Sequence, residues 1–281
     1  MPHPREFTIK AADGTPLFVT DWLIDPPAAS TGGIVLMHGI GEHSGRYTHV
    51  IRFFNERGLS VRAYDHRGHG RSGGARGDVP GDATILQDAK IVVDDFARQL
   101  GQHGPAPLLL FGHSMGGLFA ARFATARLSP LRGLILSSPA LVLPLSGVQK
   151  MLAKIFRMIA PGLGIPNGLK TEYLSHDPQV EADYLKDSLV HPKISARLLS
   201  SMLASVDFSQ SHAGELAIPT LLVVAGDDRL VDATGSDAFF KRLPPGIGTM
   251  HRYDSFYHEI FNEVESRRVF DDVGAWLDRL S

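Results

Sequence analysis

The sequence predicts an α/β fold, in which a mainly parallel sheet of eight strands carries helices on both faces and is interrupted by a helical insertion. Two observations support this prediction. Short apolar runs of strand length alternate with segments of helical apolar spacing, and the alternation stops between about residues 139 and 217 before it resumes. Strands joined through helices form right-handed crossovers, so they lie parallel with both faces of the sheet covered.

Six of the eight strands are predicted before the insertion. The first two alternate apolar and polar residues around Asp13-Gly14, which indicates an antiparallel hairpin. Each later strand is followed by a helix or a glycine-rich turn. The predicted strands are 7–10, 16–22, 33–37, 60–64, 108–112 and 131–136, and the predicted helices are 47–57, a long helix ending near residue 100, and a helix that begins just past Ser114.

The insertion divides the chain into a first core part (1–139), a helical cap (140–217) and a second core part (218–281). The cap contains several prolines and no strong strand, and it shows helical apolar spacing over 148–159 and 198–206. The core resumes with strands 220–225 and 248–253 and helices 236–243 and 265–280. We expect the cap to cover the site that the core loops form.

Composition excludes several classes of protein. Apolar residues make up 43 % of the 281 residues, and the net charge of −2 gives no reason to expect a nucleic-acid partner. The absence of cysteine excludes disulfides, thiolate metal sites and cysteine nucleophiles. The N-terminal residues lack the apolar core of a signal peptide, and no apolar run is long enough to cross a bilayer. We therefore expect a soluble, cytoplasmic protein.

The strongest motif is the Gly-x-Ser-x-Gly sequence centred on Ser114. It joins an apolar strand to a helix, so the serine is expected on a sharp turn with its hydroxyl exposed. Gly112 and Gly116 stand where a Cβ would collide across that turn. A bare match arises by chance in roughly one chain in ten of this length. The flanking strand and helix are what favour a nucleophile.

A serine nucleophile needs an imidazole base and a carboxylate, and both are expected past the C-terminal ends of parallel strands. His258 follows the last strand and is the predicted base, whereas His251 lies inside that strand. Asp227, Asp228 and Asp232 follow the preceding strand. Because neighbouring side chains diverge, at most one of the first two faces the imidazole, and Asp228 is preferred. Asp227 or Asp232 then orients the loop or caps the next helix.

Two backbone N–H groups are expected to bind the oxyanion that develops on an attacked carbonyl. One belongs to Met115, directly after the serine. The other belongs to Ile40, in the loop after strand 33–37. His38, in the same loop, is expected to pack the loop rather than to take part in catalysis.

Two further patterns are weak. Residues 68–73 match the dinucleotide fingerprint G-x-G-x-x-G, but residues 74–81 cannot begin a helix at once, as pyrophosphate binding requires. His66 and His69 have no third metal ligand beside them, which favours a structural turn. We expect neither a cofactor nor a metal ion.

The cap segment 148–159 is basic and amphipathic. Its apolar residues oppose Lys150, Lys154 and Arg157. Two interpretations stay open. The helix packs on the core as part of a lid, or it makes a peripheral contact with a membrane or micelle surface.

Five segments carry a resemblance to a known family: residues 38–47, 65–72, 112–117, 228–232 and 257–259. They resemble the monoacylglycerol lipases and related lysophospholipases of the α/β-hydrolase superfamily, and the first segment is the most specific. The order serine, aspartate, histidine along the chain agrees with that superfamily. The resemblance covers nearly the whole chain. It implies an α/β-hydrolase fold, the triad Ser114, Asp228 and His258, the oxyanion donors Ile40 and Met115, and a cap near 143–209.

The resemblance implies a serine carboxylester hydrolase that releases a fatty acid from monoacylglycerol through an acyl-enzyme. A lipid ester is then the small-molecule partner, and no cofactor is needed. The same chemistry on lysophospholipids or small generic esters is the alternative. A second alternative is transfer of the acyl group to an alcohol or amine in place of water.

Overall fold

The computed structural model describes residues 3–101, 108–143 and 145–280, which form ten strands and eight α-helices. The strands are β1 (Arg5–Lys10), β2 (Pro16–Trp22), β3 (Gly32–Met37), β4 (Leu59–Tyr64), β5 (Leu108–His113), β6 (Gly133–Ser137), β7 (Gly164–Pro166), β8 (Lys193–Ser195), β9 (Thr220–Ala225) and β10 (Gly248–Tyr253). The helices are α1 (Thr48–Glu56), α2 (Thr84–Gly101), α3 (Met115–Thr125), α4 (Gly147–Ile159), α5 (Pro178–Lys186), α6 (Ala196–His212), α7 (Thr234–Arg242) and α8 (Arg267–Asp278).

Eight of the strands form one sheet in the order β1-β2-β4-β3-β5-β6-β9-β10. β2 runs antiparallel to both of its neighbours, and all other pairs are parallel. This confirms the predicted mainly parallel sheet with an N-terminal hairpin.

The register brings the ends of three central strands to one edge of the sheet. Met37 at the end of β3 lies opposite Gly112 of β5, and Gly112 lies opposite Leu136 of β6. The loops after these strands therefore start close together, as is usual for sites in parallel α/β sheets.

Helices cover both faces of the sheet. Because strand side chains alternate between faces, Leu108 and Leu110 belong to the core under α2, α3 and α7, while Leu109 and Phe111 belong to the core under α1 and α8. Both cores consist of buried aliphatic and aromatic residues, which explains why the central strands appear in the sequence as continuous apolar runs.

Between β6 and β9 the chain forms α4, α5, α6 and a short antiparallel pair of strands, β7 and β8. The sequence predicts no strong strand in this segment, and the structure adds only this short pair, in which Ile165 lies opposite Ile194. Each strand has only three residues, so it carries no recognisable sequence period. Within the described ranges, no helix combines the length and the apolar character needed to cross a bilayer.

Candidate active site

Ser114 lies in the turn between β5 and α3, with a backbone φ of 55° and ψ of −118°. Non-glycine residues rarely adopt a positive φ, and such strain clusters at functional sites. A Cβ added to Gly112 would lie 2.4 Å from the carbonyl oxygen of Gly116, and one added to Gly116 would lie 2.2 Å from that of Met37. Both positions therefore require glycine for the turn to form.

The loops after β9 and β10 bring one aspartate and one histidine into contact. His258 Nδ1 donates to Asp228 Oδ2 at 2.7 Å, and the two side chains are only 4 % and 2 % exposed. The other carboxylate oxygen, Asp228 Oδ1, accepts from the N–H groups of Leu230 at 2.9 Å and Val231 at 2.8 Å. Every carboxylate oxygen of Asp228 is thus engaged, which fixes the orientation in which it meets the imidazole.

The other two candidate aspartates contact other partners. Asp227 has an exposed side chain (44 %) and pairs with Arg229 at 3.1 Å. Asp232 Oδ1 accepts from the N–H of Thr234 at 2.9 Å, at the start of α7. Of the three, Asp228 is the one in contact with His258.

Charge around His258 changes its affinity for a proton. Burial alone would lower the pKa of His258, but the charge of Asp228 and its hydrogen bond, followed by Glu259 and Glu42, outweigh burial and raise it. For Asp228, burial raises the pKa, and the charge and hydrogen bond of His258 together with two backbone N–H groups lower it overall. The pair therefore favours an ionised carboxylate beside an imidazole that readily accepts a proton.

A second buried histidine lies against the first. The ring of His113 is 4.7 Å from that of His258, and its Nδ1 lies 3.0 Å from Ser137 Oγ. Burial, followed by repulsion from His258, lowers the pKa of His113 to about 3. His113 is therefore neutral at ordinary pH and does not compete with His258 for a proton.

Ser114 and His258 line the same small cavity, together with three residues from the segment between β6 and β9: Leu169, Leu174 and Tyr184. In the part of the chain that the structure describes, no hydrogen bond joins Ser114 Oγ to the imidazole. Serine–histidine contacts are often long in the absence of substrate and tighten in the complex.

Ile40 and Met115 carry the two N–H groups that the sequence predicts as oxyanion donors. Neither has a hydrogen-bond acceptor among residues 3–101, 108–143 and 145–280. Met115 opens α3, where the first N–H groups of a helix have no partner within the helix. Ile40 follows Gly39, and a Cβ added to Gly39 would lie 3.4 Å from Ser114 Cβ, so this loop passes directly beside the serine.

A buried ionic cluster joins the Ile40 loop to the His258 loop. Arg46 Nη1 donates to Glu42 Oε2 at 2.6 Å, and its two terminal nitrogens donate to Glu259 Oε1 and Oε2 at 2.6 and 2.9 Å. Glu42 Oε1 accepts from the Gly39 N–H at 2.6 Å and from the Tyr47 hydroxyl at 2.5 Å. No role for these charges is predicted from the sequence. Two features of the sequence could have indicated the cluster: Glu42 and Arg46 are four residues apart, and Glu259 stands next to His258.

The raised pKa of His258 predicts the acidic limb of the pH–rate profile. A general base must be neutral, so with His258 as the predicted base we expect activity to rise as pH passes upward through the pKa of His258, which lies above its ordinary 6.5. Removing the charge of Glu259 lowers that pKa, so Glu259→Gln is expected to move the acidic limb of kcat/KM to lower pH. The measurement is kcat/KM from pH 5 to 9 for the wild-type protein and for Glu259→Gln.

The matched control is Glu265→Gln, an exposed carboxylate in the segment before α8. It is expected to leave the acidic limb unmoved. An acidic limb that stays in place in Glu259→Gln would show that the Glu259 charge does not set the pKa of the predicted base.

The segment between β6 and β9 is hydrogen-bonded to both loops of the site. Glu259 N–H donates to the Leu174 carbonyl at 2.8 Å, and His191 N–H donates to the Gly41 carbonyl at 2.8 Å. The residues around Leu174 and His191 therefore hold the His258 loop and the Ile40 loop in place.

His66 and His69, considered above as metal ligands, make contacts with the backbone instead. His66 Nε2 donates to the His38 carbonyl at 3.2 Å, and His69 Nδ1 donates to the Arg67 carbonyl at 3.0 Å. Among the residues described here, no group of three or more potential ligands is arranged to hold a metal ion.

Comparison with known proteins places these features in a family context. Residues 28–265 match the hydrolase family described as serine aminopeptidase, S33. The chain is 36 % identical over 260 residues to a monoacylglycerol lipase of Mycolicibacterium smegmatis, covering 90 % of each chain. It is 33 % identical over 264 residues to phospholipase YtpA of Bacillus subtilis, covering 92 % of this chain and 98 % of that protein.

The fold is likewise similar to solved structures. The crystal structure of a monoacylglycerol lipase from Paleococcus ferrophilus matches with a TM-score of 0.84 at 34 % sequence identity, covering 94 % of this chain and 99 % of that one.

Proposed function

Because the chain belongs to the serine aminopeptidase S33 family of hydrolases, we propose that it is a serine carboxylester hydrolase that releases a fatty acid from monoacylglycerols. One observation carries the chemistry: His258, whose Nδ1 lies 2.7 Å from Asp228 Oδ2, lines the same cavity as Ser114. The substrate class rests on similarity, since relatives at 36 % and 34 % identity are monoacylglycerol lipases.

In the proposed acylation step, His258 Nε2 takes the proton of Ser114 Oγ while the oxygen attacks the ester carbonyl carbon. Asp228 holds the Nδ1–H tautomer and stabilises the imidazolium. The oxyanion of the tetrahedral intermediate accepts hydrogen bonds from the N–H groups of Ile40 and Met115. As the intermediate collapses, His258 gives its proton to the departing glycerol oxygen and the acyl group stays on Ser114.

In the proposed deacylation step, water takes the place of glycerol. His258 removes a proton from the water as it attacks the acyl carbonyl, and the same two N–H groups hold the second oxyanion. Collapse of this intermediate returns the proton to Ser114 and releases the fatty acid. No cofactor or metal ion enters either step.

The division into core (1–139 and 218–281) and cap (140–217) has a functional meaning in this proposal. The core supplies the reacting groups, and the cap supplies the apolar wall over them, including Leu169 and Leu174. The cap is where the choice of acyl chain and head group is made.

Lysophospholipids are the second candidate substrates, because phospholipase YtpA is 33 % identical over almost its full length. Measuring kcat/KM for 1-monoacylglycerols and lysophosphatidylcholines of matched chain length separates the two. The proposal expects faster hydrolysis of the monoacylglycerol at each length. Faster hydrolysis of the lysolipid throughout would assign the enzyme to the second class.

Helix α4 and the residues after it support a peripheral lipid contact. Large apolar side chains are exposed there, most strongly Met158 (78 %) and Ile159 (71 %); the others are Met151, Leu152, Ile155, Phe156, Leu163 and Ile165. Arg157 on the same helix pairs with Asp82 of the core at 2.7 Å, which ties the helix to the protein. The side chains of Val148 and Lys150, part of the predicted amphipathic pattern, lie outside the described residues. A surface of this kind is typical of helices that lie in a lipid interface.

The double variant Leu152→Asp/Phe156→Asp is expected to co-sediment less with vesicles of phosphatidylcholine and phosphatidylglycerol, because two charges would enter the apolar contact. The control is Leu185→Asp on α5, an exposed leucine outside this surface (66 %). Vesicle binding that is unchanged in the double variant would rule out docking through α4.

A further inference from the structure

The peptide between Gly39 and Ile40 is held from its carbonyl end. His38 Nδ1 donates to the Gly39 carbonyl oxygen at 2.7 Å. A peptide group is planar and trans, so its C=O and N–H point in opposite directions. The N–H of this same peptide is that of Ile40, which the proposed function assigns to the oxyanion. Fixing the direction of the Gly39 carbonyl therefore fixes the direction of the Ile40 N–H.

The other ring nitrogen of His38 determines which tautomer is present. His38 Nε2 accepts from the backbone N–H of His66 at 2.9 Å. A backbone N–H can only donate and a carbonyl can only accept, so Nε2 is unprotonated and Nδ1 carries the proton. Both contacts are satisfied by one neutral tautomer of a ring that is fully buried.

The environment keeps this ring neutral. Burial, followed by repulsion from His69, lowers the pKa of His38 well below its ordinary value. The ring lies 4.4 Å from that of His66 and 5.4 Å from that of His69, which leaves it little freedom to rotate. His38 thus presents a fixed Nδ1–H to the Gly39 carbonyl.

From these contacts we infer that His38 is a positioning residue for the proposed reaction. Its Nδ1–H directs the Gly39–Ile40 peptide so that the Ile40 N–H faces the oxyanion. This goes beyond the packing role that the sequence suggests. The inference rests on the proposed function, because it assigns His38 to the oxyanion site of the same ester hydrolysis.

Hydrogen-bonding the carbonyl of a peptide also polarises it, which strengthens the N–H at its other end as a donor. Glu42 holds the preceding peptide by accepting from the Gly39 N–H at 2.6 Å. Glu42 thus binds the N–H of Gly39, and His38 binds its carbonyl oxygen. That carbonyl belongs to the peptide group whose N–H is the proposed oxyanion donor of Ile40.

Two near-isosteric variants separate positioning from packing. In His38→Asn the amide nitrogen takes the place of Nδ1 and still donates to Gly39, while the His66 N–H loses its acceptor. In His38→Gln the amide oxygen takes the place of Nε2 and still accepts from His66, while the Gly39 carbonyl loses its donor. Each variant leaves one buried backbone group without its partner, so similar drops in melting temperature are expected.

The activities of the two variants should differ. His38→Gln is expected to lower kcat by roughly 10- to 100-fold, less than complete loss of an oxyanion donor, with KM changed by under about threefold. His38→Asn is expected to keep kcat within about fivefold of the wild-type value, since the donor to Gly39 remains. An alkyl boronic acid, which forms a tetrahedral adduct with a serine nucleophile, should lose affinity in parallel with kcat.

Equal losses of kcat in the two variants, or a loss confined to KM and melting temperature, would overturn the inference. A measurement on the unaltered protein adds a second test that does not depend on folded variants. With ¹⁵N-labelled histidine, the His38 ring is expected as the neutral Nδ1–H tautomer, and an Nε2–H tautomer would overturn the inference.

Two other results would contradict the proposed function itself. Retention of ester hydrolysis in Ser114→Ala contradicts the serine mechanism and the positioning role together. Wild-type protein that is active on p-nitrophenyl esters but not on monoacylglycerol contradicts the proposed substrate alone. The comparison of His38→Asn with His38→Gln is then made on the p-nitrophenyl ester.

Discussion

Replacing Ser114 with alanine is expected to lower kcat for monoacylglycerols and for p-nitrophenyl esters by roughly 10⁵- to 10⁶-fold. The hydroxyl oxygen is the atom that forms the bond to the acyl carbon, so no other side chain in the cavity replaces it. What activity remains comes from water attacking a substrate that is still bound by the oxyanion donors. Initial rates at saturating substrate measure the effect.

The matched control is Ser209→Ala. Ser209 lies on α6, and its buried hydroxyl has no hydrogen-bond partner in the part of the chain that the structure describes. Its loss is expected to leave kcat unchanged. The melting temperature of Ser114→Ala is expected to stay close to that of the wild type, since alanine keeps the Cβ at the positive φ of 55°. A folded Ser114→Ala protein with wild-type kcat would contradict the mechanism.

The second large effect is expected for Asp228→Asn, with a loss of about 10⁴-fold in kcat. The carboxylate accepts from His258 Nδ1–H at 2.7 Å, and its other oxygen is held by two backbone N–H groups. An amide in this place directs its own N–H toward Nδ1, which moves the imidazole proton to Nε2. The nitrogen that should take the serine proton is then already protonated.

The neighbouring aspartate provides the control. Asp227→Asn alters a side chain that is 44 % exposed and paired with Arg229. It is expected to change kcat by less than about twofold, because the ion pair is solvent-exposed and the Asp227 carboxylate does not hold the imidazole. If Asp227→Asn removed activity and Asp228→Asn did not, Asp227 and not Asp228 would be the carboxylate of the triad.

Much of the fold could be predicted because it depends on local signals. The central strands are buried on both faces, so each is a continuous apolar run that is visible in the sequence. The eight-stranded sheet and its antiparallel hairpin are confirmed. The pair β7 and β8 was missed because two strands of three residues, separated by α5, leave no period to detect. The boundaries proposed for the cap stay a prediction.

The serine, histidine and aspartate could be proposed from sequence because each follows a strand end, where a parallel sheet brings loops together. The contacts around these three residues could not be predicted from the sequence. Arg46 binds Glu259, 213 residues further along the chain, and no spacing rule relates the two. The role of His38 depends on which ring nitrogen faces the Gly39 carbonyl, and only the folded loop fixes that.

Incubation of the protein with a 1-monoacylglycerol in water enriched in oxygen-18, followed by mass spectrometry of the products, tests the central claim most directly. Hydrolysis through acyl-Ser114 predicts release of a fatty acid that carries one oxygen-18 atom, glycerol without label, and no release by Ser114→Ala. Absence of fatty acid with the wild-type protein, or equal release by the Ser114→Ala variant, would contradict the account.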